Sequence, residues 1–255
     1  MDVKRRKFQG VLNILSFNRH FYVVGLIVLG IIVISLILLK SPPIWTTIIV
    51  GAFSYGLLMP LIISAYVYDF SGYYDFKWLK KLQLGELKSG QIVNINAGFD
   101  ETSFILKNNF PDSKLSVFDF YNADNHTEPA IVRARKVSST YPNTKQISTK
   151  DIPLENDSVD LVFLLSAAHE IRAHKEKVAF LKECKRICKP NGKVITVEHL
   201  RDVPNFFAFS IGFTHFFSKK TWHKAFKEAG FFSFTETKFT QLTRSCTPSL
   251  RRNER

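Results

Sequence analysis

Residues 21–39 carry no charged side chain, and after the break Lys40-Ser41-Pro42-Pro43 a second run, residues 44–68, is again free of charge. At about 1.5 Å rise per residue each run reaches roughly 28 Å or more, against a hydrocarbon core of about 30 Å. Buried helices of soluble proteins seldom need so long an apolar run, so a transmembrane helical hairpin is expected over residues 21–69. The first run is too long and bulky for a cleaved leader and is followed at once by the second. Gly51, Gly56 and Pro60 predict a kinked, closely packed second helix.

The flanks orient the hairpin. Lys4, Arg5, Arg6, Lys7 and Arg19 precede it, Lys77, Lys80, Lys81 and Lys88 follow it, and the connection holds only Lys40. Positive charge stays inside, so both ends and the folded domain are expected on the cytoplasmic side of a cell membrane. Trp45, Tyr66 and Tyr68 fall where interfacial aromatics belong. Residues 8–17, with Val11, Leu12 and Leu15 at helical spacing, are expected along the bilayer surface. The chain thus divides into a basic N-terminal segment (1–20), the hairpin (21–69), a linker with a lead-in helix (70–89), a folded domain (90–247) and a basic tail (248–255).

A net charge of +13 invites a nucleic-acid reading. Much of the excess lies beside the spans and in the tail Arg251-Arg252-Asn253-Glu254-Arg255, where anionic headgroups are the nearer partner. No aromatic-interleaved RNA motif is visible, so nucleic acid is not expected as a partner. Cys184, Cys188 and Cys246 are too few and too poorly spaced for a zinc site or a disulfide framework. No metal is expected, and Cys184 and Cys188, four apart in one expected helix, read as packing residues.

Beyond the hairpin the pattern alternates. Strands are expected at 91–96, 114–118, 145–148, 160–165 and 193–198, with helices near 102–109, 128–136, 175–188 and 220–229. Such alternation specifies an α/β domain, a Rossmann-like, mostly parallel sheet with helices on both faces. Its ligand should lie at the carboxyl ends of the strands, near the topological switch point.

The chemistry-bearing residues follow that order. Asn94-Ile95-Asn96-Ala97-Gly98-Phe99-Asp100 ends the first strand in a tight turn, and Val117-Phe118-Asp119 ends the second in an acid. Asp151-Ile152-Pro153-Leu154-Glu155-Asn156-Asp157-Ser158-Val159-Asp160 leads into the fourth, and Lys189-Pro190-Asn191-Gly192-Lys193 precedes the fifth. This series resembles the class I S-adenosylmethionine-dependent methyltransferases over residues 90–239, including a helix at 217–230 before the last strands. It is most similar to their small-molecule branch, which includes the ubiquinone and menaquinone C-methyltransferases.

The resemblance implies the class I methyltransferase fold and S-adenosyl-L-methionine as cofactor. Asp119, with Phe120 after it, would accept the ribose hydroxyls, as strand-end acids do in dinucleotide folds. Gly98 stands at the second glycine of the family's loop, where backbone must approach the ligand. Asn96 and Asp100 occupy the other two glycine positions, and Asn94 replaces the strand acid. Asn and Asp tolerate left-handed backbone, so the turn can still form. Ser148 falls where many relatives place the acid that meets the adenine amino group, with Thr149 and Asp151 as substitutes.

By the same resemblance, Ser166-Ala167-Ala168-His169-Glu170 closes over the methionine end of the cofactor and faces the acceptor. His169 is the candidate general base, with Glu170 to orient or replace it. His199 is the second candidate, and His174 reads as a solvated helix residue. Residues 203–217 carry six phenylalanines, which can line an acceptor pocket, dip into the membrane or fill core.

The expected function is a membrane-anchored methyltransferase acting on a lipophilic small molecule: a quinone-like, phenolic, polyene or lipid acceptor. The alternative is a methyltransferase fold without turnover, serving as a membrane scaffold or cofactor-sensing subunit. A nicotinamide enzyme ranks third, since the loop lacks that fingerprint too. Because Gly98 and Asp119 lie beyond the anchor, removal of residues 1–69 is expected to spare cofactor binding. The oligomeric state is not legible.

Overall fold

The computed structural model describes residues 5–82, 89–124, 129–137, 140–238, 240 and 242–249. Lys4, Lys88 and the tail at 251–255 lie outside them. The N-terminal part is helical: α1 (Gln9–Phe17), α2 (Arg19–Leu38) and α3 (Pro43–Ser64), which runs on as a π-helical stretch, Ala65–Phe70. The segments Arg19–Leu38 and Pro43–Phe70 are long and apolar enough to cross a membrane. No residue of α2 is buried, and in α3 only Ser64 is. A core helix of a soluble protein would hide its apolar side chains, and these do not.

The expected close packing at Gly51 and Gly56 is not found, for a side chain at either position would meet open space. Contact comes from Gly25 of α2, where a Cβ would lie 3.2 Å from Leu57. The helix continues through Pro60 and leaves α geometry only at Ala65. Such π segments gather at functional sites, and this one turns Tyr68 inward to His199 rather than toward the interface expected for it. Trp45 and Tyr66 are exposed.

Helix α1 joins these apolar helices to the folded domain. Its Leu12 and Leu15 are exposed while Gly10 and Phe17 are buried. The Gly10 N–H donates to Asp69 Oδ1 at 2.9 Å, and a Cβ on Gly10 would come within 2.7 Å of Tyr68. At the far end Arg133 of α5 (Pro129–Val137) donates to the Phe17 carbonyl at 2.5 Å and meets His20 Nδ1 at 2.8 Å. Phe17 and His20 thus contact the folded domain through Arg133.

Among the described residues seven strands form one sheet: β1 (Gln91–Asn96), β2 (Lys114–Asp119), β3 (Lys145–Gln146), β4 (Val159–Leu165), β5 (Cys188–His199), β6 (Ser233–Lys238) and β7 (Thr243–Ser249). Their order is β3-β2-β1-β4-β5-β7-β6, with the first five parallel and β7 antiparallel to both neighbours. The expected strand at 145–148 stops at Gln146, because Ser148 pairs back onto Asp151. The fifth begins earlier than expected, since Cys188 is extended and opens β5 rather than closing a helix.

Period-two alternation packs both faces of the sheet. Val93, Ile95, Val162, Leu164 and Val194 share one cluster with Phe180, Cys184, Trp222 and Phe226 of α6 (His174–Ile187) and α8 (Lys219–Glu228). Ile92, Leu161, Phe163 and Ile195 share the other with Leu106 of α4 (Ser103–Asn109) and with Tyr73, Phe76, Trp78, Leu79 and Leu82 of the lead-in segment. The chain leaves β1 toward β2 and β3, then returns to β4 on the other side. That reversal opens a crevice at the carboxyl ends of β1 and β4.

Candidate active site

A cavity of about 420 Å³ occupies this crevice. The strand ends supply Ala97, Leu165, Ser166 and His199, α1 supplies Asn13 and Phe17, and the π stretch supplies Tyr68. Residues 209–216, after the short helix α7 (Val203–Phe209), close it with Phe209, His215 and Phe216. A second, more open groove of about 890 Å³ follows β2 and β3 and is lined by Phe120, Tyr121, Gln146, Ser148, Thr149 and Glu176.

The turn after β1 is built by side chains where the family pattern has glycines. Asn96 Oδ1 accepts the Gly98 N–H at 3.1 Å, and Asp100 Oδ1 accepts those of Thr102 and Ser103 at 2.9 and 3.0 Å, starting α4. Gly98 has φ +90°, which its lack of a Cβ permits. A Cβ there would meet Arg135 Nη1 at 2.7 Å and the Tyr121 ring at 3.0 Å. Asn94 donates to Thr102 and Ser103 at 3.0 and 2.8 Å and so fastens strand to helix; like Asn96, Gly98 and Asp119, it lines neither cavity itself, while Ala97 and Phe99 line the first and Phe120 the second.

Asp119 ends β2 with Oδ1 accepting the Tyr121 N–H at 2.8 Å, while Oδ2 takes Arg135 Nη1 at 2.7 Å. The Arg135 guanidinium stacks 4.1 Å from the centre of the Tyr121 ring. Two features fit a nucleoside: a strand-end carboxylate beside a positive-φ glycine, and the buried Asn96 Nδ2, which has no hydrogen-bond partner among the described residues. Arg135 stands against the same carboxylate and must turn aside for ribose hydroxyls to reach it.

Thr149 donates to Glu176 Oε1 at 2.7 Å, so the acid beside the second groove comes from α6, a residue the sequence did not single out. Asp151 is exposed and lines a different groove with Glu183 and Arg186. Ser166 has φ +50° and its hydroxyl meets that of Tyr73 at 3.2 Å. Ala167 is buried in the core behind it.

His169 stands in a 3₁₀ turn, Ala168–Glu170, just after β4. Its Nδ1 lies 2.7 Å from Glu198 Oε2, its N–H donates to Glu198 Oε1 at 3.2 Å, and its Nε2 is 3.2 Å from Glu170 Oε1. Burial alone would lower the pKa of this imidazole, but Glu198 and Glu170 outweigh it and push it up to about 10. Burial would raise that of Glu170, yet His169 and His215 hold it well below the usual carboxylate range. His169 is therefore protonated near neutrality and has no nitrogen free to accept a proton. The base role expected for it does not suit that form.

His199 is its opposite. Nδ1 faces two acceptors, Asn205 Oδ1 at 3.2 Å and the Leu242 carbonyl at 3.1 Å, which assigns the proton to Nδ1 and leaves Nε2 to accept from Tyr68 Oη at 2.9 Å. Burial lowers its pKa to about 4, so the ring is neutral. His174, at the start of α6, pairs with Glu228 at 2.8 Å on the surface, as expected of a solvated residue. Cys184 and Cys188 are buried core thiols.

Residues 113–196 match a family described as methyltransferase domain. Over 91 residues the chain is 34% identical to a highly reducing polyketide synthase from Pyrenophora dematioidea, an overlap of 30% of this chain and 3% of that protein. The chain thus spans about 3% of the length of that curated relative. The crystal structure of a candidate O-methyltransferase from Nostoc punctiforme shares the fold, with a TM-score of 0.50 and 15% identity over 76% of this chain and 60% of its own. Human N-acetylserotonin methyltransferase in complex with S-adenosylmethionine aligns with a TM-score of 0.49 and 17% identity, over 84% of this chain and 61% of that one. Residues 113–196 thus resemble a methyltransferase domain, and the sheet that holds them shares the fold of the Nostoc punctiforme structure.

Proposed function

We propose that the whole chain is a membrane-anchored methyltransferase that acts from the cytoplasmic face on a lipophilic small molecule, whether quinone-like, phenolic, polyene or lipid. The observation that carries this reading is the wall of the 420 Å³ cavity, which the anchor itself helps to build through Asn13, Phe17 and Tyr68. The opposite wall, Phe209 to Phe216, follows α7, whose Val203, Phe206 and Phe207 are exposed. The Tyr55 hydroxyl, within apolar helix α3, donates to the Phe207 carbonyl. An apolar acceptor can thus reach the cavity along the helices that carry the anchor.

S-adenosylmethionine supplies an electrophilic methyl group on a sulfonium. Asp119, Asn96 and the turn at Gly98 would hold its nucleoside, with Thr149 and Glu176 along the adenine groove. The chain must then hold the acceptor in line, and orientation alone can account for much of the rate. Where the acceptor loses a proton, Tyr68 is placed to receive it and relay it to the neutral His199.

The test is full-length protein in vesicles, given methyl-labelled S-adenosylmethionine and lipophilic phenols or quinols. Label in the lipid phase is expected. Cofactor binding without any transfer would favour the scaffold reading, and absence of cofactor binding would overturn both.

A further inference from the structure

On the wall of the 420 Å³ cavity, three residues from two separate segments bring metal-ligand atoms together. His169 Nε2 lies 3.2 Å and His215 Nε2 3.6 Å from Glu170 Oε1, and all three ligand atoms fall within 4.8 Å of one another. A cation bonded at 2.0–2.1 Å holds neighbouring ligand atoms roughly 2.9 to 3.4 Å apart, so small side-chain shifts suffice to close this set. We infer that His169, Glu170 and His215 form a site for one divalent transition-metal ion.

The surroundings are those of a supported ligand set. Glu198, 4% exposed, holds His169 by both its Nδ1 and its backbone N–H, which leaves Nε2 directed at Glu170, where a bound cation would take the place of the Nε2 proton. A carboxylate behind a ligating imidazole fixes its ring and raises its basicity. Arg172 Nη1 donates to the carbonyls of both histidines, 3.3 Å to His169 and 2.6 Å to His215, and so ties the two segments together. Two imidazoles and one carboxylate suit zinc, iron or cobalt rather than magnesium or calcium. All three ligands line the 420 Å³ cavity, so the remaining coordination positions open toward it and fit an oxygen donor of a small molecule.

This site stands on its own geometry and does not require methyl transfer. The experiment is calorimetric titration of the chelator-treated, full-length protein in detergent with Zn²⁺, paired with Co²⁺ absorption in the visible. One equivalent should bind, with cobalt bands of a low-symmetry site. Glu170→Gln, which keeps the side-chain shape, and His215→Ala, at the more exposed ligand, should each weaken Zn²⁺ binding at least tenfold. His174→Ala, on the surface pair with Glu228, should leave it unchanged. Absence of stoichiometric binding, equal affinity in Glu170→Gln and His215→Ala, or displacement by a hundredfold excess of Mg²⁺ would overturn the assignment.

Discussion

Arg135 Nη1 rests 2.7 Å from Asp119 Oδ2 and would lie 2.7 Å from a Cβ placed on Gly98, so one guanidinium covers both the strand-end acid and the glycine turn. Helix α5, which carries it, is held by α1 through Arg133 and the Phe17 carbonyl. With Asp119 as the proposed ribose acceptor, the cofactor must displace this pair to bind. Arg135 is 35% exposed at its side chain, and such an ion pair is worth roughly 1 kcal/mol, about fivefold in affinity. Arg135→Ala should therefore tighten S-adenosylmethionine binding about fivefold by calorimetry. Weaker binding would make Arg135 a cofactor contact instead.

Asp119→Asn acts in the opposite direction. Loss of a charge-assisted bond to a ligand costs about 1.5–3 kcal/mol, roughly ten- to a hundredfold in affinity. The variant should fold, since the backbone bond from Tyr121 to Oδ1 can persist. Unchanged cofactor affinity would remove this residue from the site.

His169 links stability to pH. Its folded pKa of about 10 stands above the ordinary 6.5, so the folded state holds the proton more tightly than the unfolded one. That contribution is complete below pH 6.5 and is lost as pH rises through about 10. In metal-free protein, the unfolding free-energy gap between parent and His169→Gln should be widest near pH 6 and narrow steadily toward pH 10, at up to about 1.4 kcal/mol per pH unit. A gap independent of pH would mean that the imidazole is not held as a cation.

What could be read in advance was what periodicity carries. β1 has the expected bounds, and the order of Gly98, Asp119 and the strand-four segment announced the fold and one side of the crevice. Partners brought from afar were not legible. Nothing in the chain order says that Arg135 closes on Asp119, that Glu198 turns His169 into a cation, or that His215 joins Glu170 from a segment read chiefly for its phenylalanines. Tyr68 misled for a related reason: apolar context places a tyrosine near an interface, but the π stretch that rotates it toward His199 leaves no compositional trace.

Tyr68 and His199 are the pair suited to carry a proton from the acceptor. Tyr68→Phe removes one oxygen and keeps the ring that packs against Tyr73 and His199. Turnover on a hydroxyl-bearing acceptor should fall about a hundredfold, the usual scale of general acid–base assistance, with S-adenosylmethionine affinity unaltered. Full turnover in the variant would sink the relay and leave positioning as the main contribution.

The final expectation concerns how the acceptor arrives. Phe207 is 60% exposed on α7 and does not line the cavity, while its backbone carbonyl is held by Tyr55 of α3. Phe207→Asp leaves that backbone bond and the cavity wall in place but sets a charge where the helix is read as meeting lipid. A charged residue at mid-bilayer depth costs about 2.5–3.5 kcal/mol on insertion scales, so α7 should withdraw from the hydrocarbon. Turnover of a long-chain acceptor delivered in vesicles should drop at least tenfold, while a short-chain soluble analogue should be methylated at nearly the parent rate. Measuring both rates on the same preparation separates a blocked entrance from a damaged site. An equal fall for both acceptors would mean that α7 belongs to the core of the domain, and an equal retention that the acceptor enters by another route.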